Sequence, residues 1–513
     1  MRLRCQWILV GSALALAAGP VRATEGLPKV QSRDFAATAA AMAPGSRLRL
    51  EGVEIADSSE PAAFDLERFE VFARDAKIIV HGDAGDRVLP APANAYFRGT
   101  LADRPESRVF LARLADGRTQ GMVSTPGETY LIGGDPALSA AKALSAGPLV
   151  MHRVDPVLLK SARAGGGATC GNATLPEGPG NKMLDLGSAV APAGKAAAAT
   201  ATTATTATAL YTARIAIETD YELFQIFNDA TAATNYIANL VGFASTIYAA
   251  ELNTTLVVQS LSLWQTSNDP WTQRNTLCSL LEFGKYWNQN KTGVSRTIAH
   301  FLSGKLSGGG ISWVGALCRG TFTTGYTSCP ELGAETTPWG GDYGYTGNIF
   351  GEFNINNPVV VWDIYSFAHE VGHNFGSKHS HCYNGIGGSS EPIDKCYSGE
   401  GGCYSGPTSL PGPSGKGSGT IMSYCNLMSG TYSNISMTFG TGFAYGTQPG
   451  REAAQMNGYI GAVAAAKASC LAPVSGGGAG GGTGGSNPPP PPPPPSLLPF
   501  SDGFESGTMV SWH

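Results

Sequence analysis

His369-Glu370-Val371-Gly372-His373-Asn374-Phe375-Gly376-Ser377-Lys378-His379 holds three of the chain's eight histidines in one short stretch. His369 and His373 are four residues apart, so on an α-helix they share one face and both imidazoles can reach one metal ion. Ile364, Phe367, Ala368 and Val371 repeat at the spacing of a buried helical stripe, so the same helix has a packed base. Gly376 can leave that helix with a positive φ, and the turn then returns His379 as a third ligand. Three neutral imidazoles leave one tetrahedral position open, the arrangement of a catalytic rather than a structural zinc site. A structural zinc domain would need a fourth ligand closing the site, and none is evident in the stretch. Glu370, beside the first ligand, can reach a water at the metal without binding the metal itself. A carboxylate so placed serves as general base and then carries the proton to a leaving amine.

Outward from this stretch, strands and helices alternate. Ala213–Ile217, Thr255–Trp264 and Ile311–Leu317 read as strands, and Tyr221–Ala250 and Asn275–Tyr286 as helices, which argues an α/β unit. From Cys382 to Cys425 the chain is rich in Gly and Ser with closely spaced cysteines, so an irregular, disulfide-stapled segment is expected. Upstream, residues 24–165 hold short apolar runs such as Ile78-Ile79-Val80, Arg108–Ala112 and Gly121-Met122-Val123 between turn residues, the pattern of a mostly β region.

The pattern His-Glu-x-x-His-x-x-Gly-x-x-His resembles the zinc signature of the metzincins. Gly419-Thr420-Ile421-Met422-Ser423-Tyr424-Cys425 is similar to their Met-turn, with Met422 as the turn methionine beneath the zinc. Gly372-His373-Asn374, the run Trp313–Cys318 (WVGALC) and Cys425 soon after the turn look most like the adamalysin (reprolysin) type. Ser380 departs from that type, which usually has Asp after the third histidine. Tyr424, two residues past Met422, is placed as in the astacin and serralysin types. The resemblance covers roughly residues 210–470. It implies a metzincin-like α/β catalytic domain with a twisted mixed sheet, an active-site helix and a disulfide-stapled irregular C-terminal part. It also implies a Zn2+-dependent endopeptidase that binds a protein or peptide substrate along an edge strand near Ile311–Leu317. His369, His373 and His379 would hold the metal and Glu370 would act as the base. Tyr424 would hydrogen-bond the oxyanion or bind zinc, the alternative being a packed tyrosine in a stapled loop. His381 is expected to be a surface residue or one that supports a ligand from behind.

The chain has 513 residues, of which 42% are hydrophobic and only 14% charged, with a formal charge of −5. That excludes wholesale disorder and gives no electrostatic case for nucleic acid. Its 68 Gly and 33 Pro are clustered rather than periodic, which excludes collagen. Arg2, Arg4, the apolar run Trp7–Ala18 and Val21-Arg22-Ala23 read as a signal peptide, so secretion to the extracellular space is expected, with no membrane span. The expected organisation is a signal peptide (1–23) and a mostly β propeptide with an Ala/Thr-rich connector (24–200). A zinc metallopeptidase catalytic domain (201–472), a Gly/Pro-rich linker (473–496) and a short C-terminal tail (497–513) follow. A monomer is expected. The rival reading is a non-enzymatic secreted adhesion or toxin module that retains a zinc site.

Nine cysteines remain after the signal peptide, and eight of them, from Cys278 to Cys470, form an even set for four disulfides in an oxidising compartment. Cys170 is left over, upstream of the connector and flanked by glycines. A thiolate is a strong zinc ligand, so Cys170 is expected to bind the zinc in a latent proenzyme, similar to the cysteine switch of adamalysin and matrixin propeptides. A cut between about Lys195 and Leu210 would then release residues 24 to about 200 and open the site.

Overall fold

Runs of alternating apolar and polar residues carry the first part of the chain into strands. The computed structural model describes residues 26–133, 148–156, 158, 170, 211–324, 329–333, 339–471 and 473. The expected signal peptide, the Ala/Thr connector, the polyproline run and the C-terminal tail lie outside the described residues.

Among the described residues, ten strands precede the connector: β1 (Lys29–Gln31), β2 (Arg47–Ile55), β3 (Ala62–Phe69), β4 (Phe72–His81), β5 (Arg87–Leu89), β6 (Ala95–Leu101), β7 (Arg104–Arg113), β8 (Thr119–Thr125), β9 (Glu128–Ile132) and β10 (Val150–Arg153). Eight of them form one sheet in the order β1-β2-β10-β9-β8-β7-β6-β3, and β2 also pairs with β3, so the sheet closes on itself. Leu48, Leu50, Phe64, Leu66, Phe97, Val109 and Leu111 fill its interior, joined by Phe35 of the short helix α1 (Phe35–Ala41). The expected β-rich N-terminal region is therefore present.

After the connector come β11 (Tyr211–Thr219), α2 (Tyr221–Phe227), α3 (Ala230–Leu252), β12 (Thr254–Trp264), α4 (Thr276–Asn290), β13 (Ile298–Leu302), β14 (Gly310–Ser312), β15 (Tyr343–Thr346), α5 (Val360–Asn374) and α6 (Arg451–Ala466). The second sheet runs β14-β15-β13-β11-β12-β4-β5. Its central strands are parallel, and β14 and β5 are antiparallel at the two edges. It is a mixed sheet, as expected, but two of its strands, β4 and β5, come from the N-terminal region.

Two elements differ from the sequence reading. The helix expected over Tyr221–Ala250 is two helices. Asn228 takes a left-handed conformation (φ 50°) that ends α2, and the Asp229 side chain caps α3 by accepting from Ala232 N. The strand expected over Ile311–Leu317 is confined to Gly310–Ser312. Beyond it the chain turns to cap the end of α5, with Gly315 N and Ala316 N donating to the carbonyls of His373 and Asn374, both at 2.9 Å.

The eight downstream cysteines pair as Cys278–Cys329, Cys318–Cys470, Cys382–Cys403 and Cys396–Cys425. Between Cys382 and Cys425 the chain forms turns and isolated bridges, the irregular segment anticipated from its composition.

Candidate metal centre and active site

α5 is amphipathic in its own way: Ile364, Phe367, Ala368 and Val371 join the main core, while His369 and His373 point from the same buried helix toward one spot. Gly376 leaves the helix at φ 89° and returns His379 beside them. Each histidine commits its Nδ1 to a fixed acceptor. His369 donates to the Ile421 carbonyl (2.7 Å), His373 to the Ser377 carbonyl (2.8 Å) and His379 to Glu400 Oε2 (2.7 Å). All three Nε2 atoms are thereby left as lone-pair donors. The Nε2 atoms of His369 and His373 stand 3.2 Å apart, and the buried Nε2 of His379 has no hydrogen-bond partner. Burial pushes the His369 imidazole down to about 3 and lowers His373 and His379 as well, so the neutral form is favoured in all three. Neutral nitrogens converging without protons between them repel one another unless a cation lies among them. This donor set fits a zinc ion.

Cys170 joins the group. Its Sγ is 3.4 Å from His373 Nε2, and the ligand atoms of Cys170, His369, His373 and His379 all lie within 4.8 Å of one another. Cys170 enters none of the four disulfides. Its backbone carbonyl accepts a 2.8 Å hydrogen bond from the Tyr424 hydroxyl. Cys170 thus sits in the cleft formed by Gly310, Tyr365, His369, Glu370 and Tyr424.

Glu370 is buried beside these nitrogens, and its Oε2 has no hydrogen-bond partner. Desolvation pushes its carboxyl up to about 8, against the opposing hydrogen bonds of Cys170 and Ser312. A Cβ on Gly310 would lie 2.5 Å from Glu370 Oε1, so glycine at the start of β14 makes room for the carboxylate. Tyr424 is buried, with its ring 4.4 Å from that of His379. Burial holds its phenol well above the usual value, so it stays a proton donor.

Met422 lies fully buried under α5, and a Cβ on Gly372 would come within 2.7 Å of its Sδ. The adjoining backbone positions two parts of the site: the Ile421 carbonyl holds His369, and the Met422 carbonyl accepts from Ser380 N at 3.0 Å.

Glu400 and Ser312 were not singled out by sequence, and Asn374 only as part of a motif. Glu400 accepts from His379 Nδ1 and, through the same oxygen, from His381 Nε2 at 2.9 Å. Burial disfavours its charge, yet the two imidazoles outweigh that and hold the carboxyl well below its usual range. Asn374 Nδ2 donates to the carbonyls of Trp313 (3.0 Å) and Tyr343 (2.9 Å), tying the end of α5 to the β14–β15 edge. Ser312 reaches Glu370 from β14. His381 is not a surface residue. It is fully buried and stacks on His379 with centroids 5.3 Å apart.

Residues 209–436 match the profile of the metallo-peptidase family M12 called Reprolysin_5. The match covers less than half of the chain and supports a metallopeptidase of that family there. Members of that family work with a metal, typically zinc, which agrees with the donor set. Among solved structures, metalloproteinase-II from Bacteroides fragilis is similar at 13% identity over 71% of this chain and 92% of that one, with a TM-score of 0.34. A chaperone–substrate complex is similar at 16% identity over 33% of this chain and 25% of that one, with a TM-score of 0.22. A search of curated proteins returned no match. Among the described residues, β14 is the edge strand of the sheet beside α5, and no helix is long and apolar enough to cross a membrane.

Proposed function

We propose that the chain is a secreted zinc endopeptidase of adamalysin-like type, made as a latent proenzyme that Cys170 holds silent. The observation that carries the reading is the convergence of three unprotonated Nε2 atoms with the Cys170 thiol, next to the buried carboxylate of Glu370. His369, His373 and His379 would hold the zinc. Zinc bound there supplies Lewis acidity, which activates water near neutral pH and polarises a carbonyl.

The chain's own residues do the rest. Glu370 takes the proton of the attacking water on its carboxylate and delivers it to the leaving amine. The Tyr424 hydroxyl, engaged by the Cys170 carbonyl in the latent chain, becomes a donor to the oxyanion once that segment leaves. The substrate backbone lies along β14, whose Gly310 and Ser312 flank Glu370. The signal-like N-terminus and the four disulfides support an oxidising, extracellular location.

The test is mass spectrometry of peptides cut by the purified, connector-cleaved protein, with and without a zinc chelator. Cleavage that stops with the chelator and is lost in Glu370→Ala at retained zinc is the expected result. Losing a general base costs roughly 10²–10⁴-fold in rate. Cleavage indifferent to both would overturn the reading.

A further inference from the structure

The two sheets do not respect the division between propeptide and catalytic domain. β4 pairs in parallel with β12, Val258 opposite Phe72 and then Ser260–Trp264 opposite Lys77–His81, and β5 completes that side of the sheet. His81 stacks on Trp264 with centroids 4.1 Å apart. α3 is buried on all sides along most of its length: the central sheet, α5 and α6 cover part of it, and β6 and β7 of the N-terminal sheet cover another part. Gly242 of α3 lies under the ring of Phe110 from β7, so close that a Cβ would collide with it.

Polar groups cross the same boundary. Asn94 Nδ2 donates to Asn235 Oδ1 (2.8 Å), Asn239 Nδ2 to Gln120 Oε1 (3.0 Å) and Arg98 Nη1 to Thr255 Oγ1 (2.9 Å). Arg108 Nη2 reaches Glu251 Oε1 at 3.3 Å, and the Glu251 side chain is fully buried. The other Glu251 oxygen accepts from Phe439 N, Thr441 N and Thr438 Oγ1. The division of the chain by its internal contacts falls after Val474, not at the connector.

We propose that the N-terminal region is a lasting structural half of the peptidase. After the connector is cut, it stays bound through β4, β5 and the cover of α3, and the working enzyme is a two-chain assembly. Departure would leave an unpaired row of backbone groups along β12. It would also strip the apolar face of α3 and leave the buried Glu251 carboxylate without its arginine, a costly state for a desolvated charge. None of these contacts involves Cys170 or the three histidines. The Cys170 segment can therefore leave the cleft while the strands stay in place. The inference rests on the proenzyme reading only for the cut itself.

The experiment uses the zinc-loaded full chain with a recognition sequence for a site-specific protease placed within residues 189–209. After cutting, size exclusion with mass detection reads association without any reference to catalysis. The two pieces are expected to elute as one species with the mass of the uncut chain, separating only in denaturant that also unfolds them. Pieces that separate in native buffer overturn the proposal. A cut Arg108→Met chain is expected to shed its N-terminal piece at least roughly 30-fold faster, as truncating one partner of a buried charge pair acts mainly on dissociation. An unchanged rate would overturn the part given to Glu251. Peptidase activity is assayed alongside. An uncut chain already at full activity would refute latency, while co-elution still decides the assembly.

Discussion

Each site histidine spends one nitrogen on a fixed acceptor so that the other can face the metal position. The acceptor differs each time: a carbonyl of the Met-turn, a carbonyl one turn past the helix, and a carboxylate. Only the last carries charge. Glu400→Gln removes that charge and is expected to weaken zinc binding by roughly 10- to 100-fold, read by competition with a chromophoric chelator. Unchanged affinity would leave Glu400 as packing alone. The convergence of His369 and His373 beside Glu370 was legible in sequence because a helix converts a spacing of four into a shared face. Glu400 was not. It lies 21 residues beyond His379 in a Gly-rich loop whose course is set by Cys382–Cys403, and no local pattern encodes a disulfide pairing. Tyr424→Phe is expected to lower kcat with little change in KM, the pattern of a donor used mainly in the transition state. One oxyanion donor is worth roughly 2.7–4 kcal/mol. Steady-state kinetics on the activated protein decide between that role and simple packing.

The contact between α5 and the turn at Met422 bears on how the three histidines are held. Gly372 sits where the helix crosses Met422, and a methyl there would press on Met422 Sδ at 2.7 Å and Phe439 at 3.3 Å. Overpacking a core typically costs about 1–3 kcal/mol, and alanine returns about 1 kcal/mol of helix propensity. Gly372→Ala is therefore expected to lose up to about 2 kcal/mol of stability in denaturant titration. Weaker metal binding should accompany it, since the Ile421 carbonyl that orients His369 belongs to the displaced turn. Wild-type stability and affinity would mean that Met422 yields freely. The elements misread in sequence share one cause. Tyr221–Ala250 has uninterrupted helical spacing, and the break depends on the αL conformation of Asn228 and the cap at Asp229, which a periodicity does not register. Ile311–Leu317 is apolar enough for a strand, yet after Ser312 its amides cap α5 instead of pairing. Burial is visible in composition; the partner that buries a segment is not.

The same limit appears for the molecule as a whole. β4 was legible as a strand from Ile78-Ile79-Val80, but a strand's alternation does not name its neighbour, so its place beside β12 could only come from the fold. Cys170 was legible by arithmetic, as the cysteine left over from an even set, and the structure brings its Sγ to 3.4 Å from His373 Nε2 across a separation of 203 residues. If latency depends on that thiol, Cys170→Ala should make the uncut chain active without any cut in the connector. The variant removes a ligand but not the strands that hold the N-terminal region, and the Tyr424–Cys170 carbonyl hydrogen bond does not need the thiol. The segment would therefore still compete with substrate for the cleft. Activity of the uncut variant is accordingly expected to rise clearly above that of the uncut wild type, yet to stay below that of the cut enzyme. The measurement is initial rate on a quenched fluorescent peptide for wild type and variant, cut and uncut. An uncut variant as silent as wild type, together with a wild-type Cys170 that reacts freely with a thiol reagent while zinc is bound, would show that the backbone of the segment silences the enzyme and the thiol does not.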